Sequence, residues 1–155
     1  MSLSVASKVP RDLGLGKFMQ LGFVIASTEK ALDYYEKTLG LGHFDSLIVG
    51  SDTNHGRVKR RISLAQSGGV QFELIEPMEG DTVLSAFLKQ GREGLHHIGF
   101  NVKELDEKIK ELQRKGINSL ERGKMLDASG KSVGVQYVYL DTTRTAGVIL
   151  ELLKF

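Results

Sequence analysis

The 155-residue chain has no cysteine, no tryptophan and only two prolines. Without cysteine, disulfide frameworks, zinc fingers, iron–sulfur centres and thiol catalysis are excluded. Long apolar runs are missing as well. Stretches such as Gly22–Ala26 and Val148–Leu153 fall far short of the roughly 18 residues that a membrane helix needs. The leading MSLSVASKVPRD has no charged-then-apolar order of a secretory signal. The expected location is therefore the cytoplasm, with no membrane partner. Neither sign of charge dominates: 21 Lys+Arg stand against 19 Asp+Glu, a net +2 spread along the chain. That balance argues against a nucleic-acid partner. What is present, 41% hydrophobic and 26% charged residues, suits one soluble domain whose core needs no staples. The 18 glycines exceed the usual share of about 7% and imply many tight turns between short strands.

The chain repeats itself. Gln20–Ile25 (QLGFVI) is followed by a polar-apolar stretch from Ser27 to Gly40, and His97–Val102 (HIGFNV) by a similar one from Glu104 to Ile117. Gly22 falls on Gly99, Phe23 on Phe100, Ile25 on Val102 and Leu32 on Ile109. At the other end of each half, Phe72-Glu73-Leu74 returns as Leu150-Glu151-Leu152. Matching markers at both ends of each half define a duplicated unit of about 75 residues, the kind of repeat that sets a whole fold.

Each unit opens with an alternating strand, Phe18–Ile25 and Leu95–Val102, rich in β-branched residues. A helix follows. Ser27 is its expected N-cap in the first unit, with Leu32, Tyr35 and Leu39 on one face. In the second, Leu105, Ile109 and Leu112 form the stripe and Gly116 closes it. Three shorter strands complete each unit: about 44–49, 58–64 and 70–76, then 119–125, 133–140 and 148–153. Between the units, Asp81 is the expected cap of a short helix over 82–90. The predicted fold class is α+β: an N-terminal arm (1–16), a βαβββ module (17–78), a linker with a short helix (79–94) and a second βαβββ module (95–155). Together the modules form a curved mixed sheet around a cleft.

Four polar residues stand where covered strands want apolar ones. Strand alternation puts Gln20 and Gly22 on one face of the first strand, and His97 and Gly99 on the same face of its counterpart. Glu73 is flanked by Phe72 and Leu74, and Glu151 by Leu150 and Leu152. A carboxylate on a covered face costs several kcal/mol unless it is paired or binds a metal. These four residues occupy two equivalent position pairs of the duplication. Pseudo-two-fold packing therefore brings them into one cleft, while His96, among apolar neighbours, reads as a packing residue. One imidazole nitrogen and three side-chain oxygens suit a divalent ion. Zinc, nickel, cobalt, manganese and iron(II) all satisfy that donor set.

These features resemble the vicinal oxygen chelate superfamily, which includes glyoxalase I, methylmalonyl-CoA epimerase, extradiol dioxygenases and bleomycin-resistance proteins. The likeness spans about 18–155. The wording closest to methylmalonyl-CoA epimerase is Gly94–Val102 (GLHHIGFNV), Gly116-Ile117, Gly147–Leu152 (GVILEL) and Glu76–Val83 (EPMEGDTV). The resemblance gives metal-ligand roles to His97 and Glu151. Where the epimerase pattern has a His this chain has Gln20, and where it has a Gln this chain has Glu73. The set Gln20, Glu73, His97, Glu151 is in that respect similar to zinc-using glyoxalase I. The epimerase pattern also takes a catalytic Glu from the third strand of the first half, which here reads Arg57–Leu64 (RVKRRISL) without an acid.

The resemblance implies a metal-dependent lyase or isomerase of the glyoxalase I or methylmalonyl-CoA epimerase type. A proton α to a carbonyl is removed through a metal-bound enediolate, with Glu151 as the preferred base and Glu73 as its partner. The alternative is a metal-free small-molecule binding protein of the bleomycin-resistance type. Dioxygenase chemistry wants two His and one carboxylate, a pattern that Gln20 breaks. The expected substrate is small and anionic, a glutathione hemithioacetal or an acyl-CoA thioester, and family members are often homodimers. In the basic strand Arg57, Lys59 and Arg61 share a face, with Arg60 on the other between Val58 and Ile62. The face of Arg61 is either a charge-guarded outer surface or, turned into the cleft, a substrate-binding one with Arg61 holding a carboxylate or phosphate.

Overall fold

Alternating strands joined by glycine-rich turns build two βαβββ units in the computed structural model, which describes residues 14–144 and 147–155. Of the expected arm, all but residues 14–16 lies outside the described residues. The first unit runs β1 (Lys17–Val24), α1 (Thr28–Leu32), β2 (Asp45–Thr53), β3 (Gly56–Ser67) and β4 (Val70–Glu79). After a linker helix, α2 (Val83–Lys89), come β5 (Gly94–Asn101), α3 (Leu105–Arg114), β6 (Ser119–Leu126), β7 (Ser132–Leu140) and β8 (Ile149–Lys154). Strand order is the same in both, β1-β4-β3-β2 and β5-β8-β7-β6, with the first and last strands parallel.

The modules meet along two antiparallel seams, β1·β5 and β2·β6. The curved mixed sheet is present, but the second seam closes it into an eight-stranded barrel in place of an open cleft. Outward residues pack under helices: Ile25, Phe44 and Leu74 lie beneath α1, and Phe100, Val138 and Leu152 beneath Leu105 and Ile109 of α3. Inward residues, among them Val24, Val49, Ile62, Ile75, Tyr137 and Tyr139, share a cluster with Leu84 and Phe87 of α2.

The helix boundaries follow local chemistry. Ser27 caps α1, its Oγ accepting from the Lys30 amide at 3.3 Å. After Leu32 the helix widens into a π-helical segment over Asp33–Thr38. The wider turn shifts the phase of the apolar stripe, so Leu39, expected on the buried face, is 47% exposed. Gly116 takes φ 83° just beyond α3, the left-handed conformation that ends helices at low cost. The cap of α2 is Thr82 and not Asp81. Thr82 Oγ1 accepts from the amides of Leu84 and Ser85, and Ser85 Oγ from the Thr82 amide, while Asp81 pairs with Lys89. Thr82→Ala should lower unfolding free energy by about 1 kcal/mol, whereas Asp81→Ala leaves it unchanged, as measured by denaturant titration.

Candidate metal centre

The first and last strands of each module carry the candidate residues on their inward faces. Across β1·β5, Gln20 is opposite Gly99 and Gly22 opposite His97. Along the parallel pairs, Gly22 is in register with Glu73 and Gly99 with Glu151. Each long polar side chain thus faces a residue without one. A Cβ on Gly22 would overlap the His97 imidazole, and one on Gly99 would lie 2.9 Å from Gln20 Oε1. The two glycines are what let these side chains lie across the neighbouring strand.

Glu73, His97 and Glu151 each offer a ligand atom within 4.8 Å of the others. His97 is wholly buried, Glu151 4% and Glu73 8% exposed. His97 Nε2 lies 3.2 Å from Glu151 Oε2 and 3.5 Å from Glu73 Oε2, close enough for ion pairing but not aligned as hydrogen bonds. Gln20, 4% exposed, donates its amide nitrogen to Gln71 Oε1 at 3.0 Å, which leaves its own Oε1 unpartnered. Buried polar atoms are rarely left without partners. Here the unsatisfied atoms include Gln20 Oε1, His97 Nε2 and Glu151 Oε2, one from each of three residues in the expected ligand set. Burial acts to lower the His97 pKa, but Glu151 and Glu73 outweigh it and push the imidazole up to about 9. The position favours positive charge, which suits a divalent cation held by one nitrogen and several oxygens.

His96 does pack among apolar neighbours, but as the extra residue of a β1·β5 register shift it meets the inward cluster, edge-on to Phe87 at 5.0 Å and to Tyr139 at 5.7 Å between ring centres. It also holds the neighbouring imidazole, with the two Nδ1 atoms 3.1 Å apart. Burial, helped by His97 and Arg92, pushes His96 down to about 3. A neutral His96 can accept from His97 Nδ1–H, which turns His97 Nε2 toward the carboxylates. Such outer partners commonly fix the tautomer of a ligating histidine.

The basic strand divides differently from the substrate-binding expectation. Arg61 faces outward and its Nη1 donates to Glu76 Oε2 at 3.2 Å; that carboxylate also accepts from Thr28 Oγ1 at 2.5 Å. Arg60 is the cation inside the barrel, 5% exposed, with Nη2 3.0 Å from Ser51 Oγ and its guanidinium 4.7 Å from the Tyr137 ring centre. Tyr139 stands beside His97, ring centres 5.1 Å apart, and Tyr137 donates to Glu121 Oε1 at 3.2 Å. Placing Arg61 toward the site fails because its strand phase is the helix side; Val58 and Ile62, both buried, mark the phase of Arg60 as the inward one.

The sequence pattern of the glyoxalase/bleomycin resistance protein/dioxygenase superfamily matches residues 19–135. The chain belongs to that superfamily. Among its relatives, the uncharacterized protein YqjC of Bacillus subtilis (strain 168) is 28% identical, over 89% of this chain and 91% of that protein. The mitochondrial methylmalonyl-CoA epimerase of Homo sapiens is 27% identical, over 89% of this chain and 73% of that protein. Similar folds occur in a variant Streptomyces coelicolor methylmalonyl-CoA epimerase bound to 2-nitronate-propionyl-CoA (TM-score 0.62, 22% identity, 90% and 97% of the two chains). The same holds for the Mycobacterium tuberculosis methylmalonyl-CoA epimerase (TM-score 0.63, 18% identity, 94% and 93%).

A divalent ion at about 100 times its dissociation constant adds roughly 2.7 kcal/mol of stability, about 5–10 °C in Tm for a domain of this size. Chelation should lower Tm by that amount, and His97→Ala should abolish the difference. Gly22→Ala, which pushes a methyl into the imidazole, should cost about 1–3 kcal/mol and reduce bound metal in elemental analysis. Gly50→Ala is the control, because its Cβ would meet nothing closer than 3.6 Å.

Proposed function

We propose that this protein is a metal-dependent isomerase of acyl-CoA thioesters that moves the proton α to the thioester carbonyl. The observation that carries the reading is the buried Gln20, Glu73, His97, Glu151 cluster with donor atoms left without partners. The substrate class is supported by those relatives and similar structures that carry a named activity, which are methylmalonyl-CoA epimerases, one of them bound to a CoA thioester. That favours acyl-CoA over a glutathione hemithioacetal.

When bound, a divalent ion supplies Lewis acidity toward neighbouring substrate oxygens and so acidifies the α C–H bond. The four side chains Gln20, Glu73, His97 and Glu151 would hold it. Glu73 and Glu151 occupy equivalent positions on β4 and β8, each next to a glycine of β1 or β5. Carboxylates related in this way can approach a substrate carbon from opposite sides, one removing the proton and the other returning it. Glu151 is assigned as the base and Glu73 as its counterpart, each with a second carboxylate oxygen to spare for holding the cation.

Side chains this buried require an opening for a CoA ester to reach them. The β2·β6 seam holds four register pairs against seven for β1·β5, and it is the seam that turns the open sheet into a barrel. With no native cysteine, Asp52→Cys with Lys124→Cys, which are register partners across that seam, puts the only two thiols in position to lock it. Oxidation should stop turnover, and reduction should restore it.

The direct test is α-proton exchange in heavy water with methylmalonyl-CoA and metal-loaded protein, followed by NMR or mass spectrometry. Wild type should incorporate deuterium. Glu151→Gln keeps an oxygen for the cation but loses basicity, so exchange should fall by at least about 10²-fold while most of the metal remains. Loss in Glu73→Gln with survival in Glu151→Gln would reverse the two roles. No exchange by wild type with any acyl-CoA thioester would overturn the isomerase reading.

A further inference from the structure

Among the described residues, Arg60 is the one buried arginine or lysine; it points into the barrel, and the chemistry above leaves it unused. It projects from β3 between inward-facing Val58 and Ile62 and is 5% exposed. Its guanidinium lies over the Tyr137 ring, and Nη2 donates to Ser51 Oγ. Nε, buried as deeply, has no partner. The charge is kept: burial disfavours it, but Tyr139, Tyr137, Glu73 and Glu151 raise the guanidinium pKa above its ordinary value. With Nη2 on Ser51 and the charge over the Tyr137 ring, Nε is left to donate, and the N–H groups along a guanidinium edge are what a carboxylate accepts from.

The charges around it set the ligand. Glu73 and Glu151 carry two negative charges, which a divalent ion offsets. The third buried carboxylate, Glu121, is occupied by Tyr137 Oη and the Val83 amide at 3.0 Å. Arg60 then supplies positive charge that nothing beside the metal ligands cancels, with an unsatisfied donor.

We infer that Arg60 binds the free carboxylate of an α-carboxylated acyl thioester, and so selects malonyl-type CoA esters over monocarboxylic ones. The inference rests on the acyl-CoA reading of the site. Ser51 and Tyr137 act here as supports that fix the guanidinium, one by hydrogen bond and one by cation–π contact. The carboxylate that Arg60 holds keeps its charge while the proton leaves the carbon beside it, so loss of Arg60 weakens binding more than it slows proton removal.

Calorimetric titration of metal-loaded protein with methylmalonyl-CoA and with propionyl-CoA, which differ by that carboxylate, tests the assignment. Wild type should bind methylmalonyl-CoA about 10–100-fold more tightly, the range of a charged hydrogen bond. Arg60→Met should bind the two alike, at the wild-type affinity for propionyl-CoA, with metal content unchanged. Arg60→Lys, which keeps the charge without the fork, should recover part of the preference. In exchange kinetics Arg60→Met should raise KM for methylmalonyl-CoA by a similar factor with a smaller fall in kcat. A preference that survives in Arg60→Met, or equal loss of both ligands in Arg60→Met and Arg60→Lys, would overturn this role for Arg60 while leaving proton exchange to speak for the isomerase. Failure of wild type to bind either thioester would overturn both.

Discussion

The pairing of β1 with β5 is the constraint on which the rest depends. It sets Gln20 against Gly99 and Gly22 against His97. In this arrangement each strand gives one long polar side chain and receives the other strand's over a bare backbone. A Cβ at either glycine would occupy space that His97 or Gln20 fills. The parallel partners β4 and β8 then bring Glu73 and Glu151 alongside those same glycines. Two small residues therefore decide where four functional groups converge. The helices on the outer faces hold the strands in this register by burying the alternate residues, so a one-residue slip would exchange carboxylates with Phe72, Leu74, Leu150 and Leu152.

Concentrating charge inside a barrel is expensive, and the structure shows how the cost is met. Two carboxylates surround His97, whose raised pKa reports their field. Glu121 accepts from the Val83 amide and from Tyr137, which ties the first turn of α2 to β6 and β7. Arg60 reaches Ser51 across β2 and β3. The network links both modules on the inner side of the β2·β6 seam. A buried charge with incomplete pairing is poor evidence for stability, and such charges concentrate at functional sites. The unpartnered atoms of Gln20, His97, Glu151 and Arg60 fall together on the inner faces of β1, β5, β8 and β3, a distribution that packing alone does not explain.

Much of the fold was legible in the sequence because the signal was local and doubled. Alternation located the eight strands, and the repeat in Gly22/Gly99 and Glu73/Glu151 said which faces meet. Ser27 and Gly116 marked helix ends through conformational needs that few other residues meet. The β2·β6 pairing had no such signal: it joins segments some 70 residues apart, and neither strand carries a pattern that names its partner. Leu39 was misread because periodicity assumes a uniform turn, which the π-helical segment breaks. Arg60 was the clearest missed residue. Its phase, shared with Val58 and Ile62, pointed inward, but three other cations in Arg57–Arg61 made the strand look like a solvated surface. Period-two phase was the better guide than charge density.

The duplication also explains why a symmetric fold holds an asymmetric site. Opposite the matched carboxylates stand Leu64 on β3 and Tyr139 on β7, and one inward step further come Ile62 and Tyr137. Arg60 lies a further step along β3, and its guanidinium reaches over the Tyr137 ring. The first half thus sets aliphatic residues where the second sets tyrosines, and the cation of one half meets a ring of the other in an attractive cation–π contact. A similar division separates Gln20 from His97, one offering a neutral oxygen and the other a nitrogen. Of the four polar groups in the cluster, Glu73 and Glu151 keep the symmetry. A pair of matched carboxylates suits a reaction that takes a proton from one side and returns it to the other. A single cation to one side suits holding a substrate that is itself unsymmetrical. The strands set the positions of these groups by repetition, and the substitutions between the repeats give them different work.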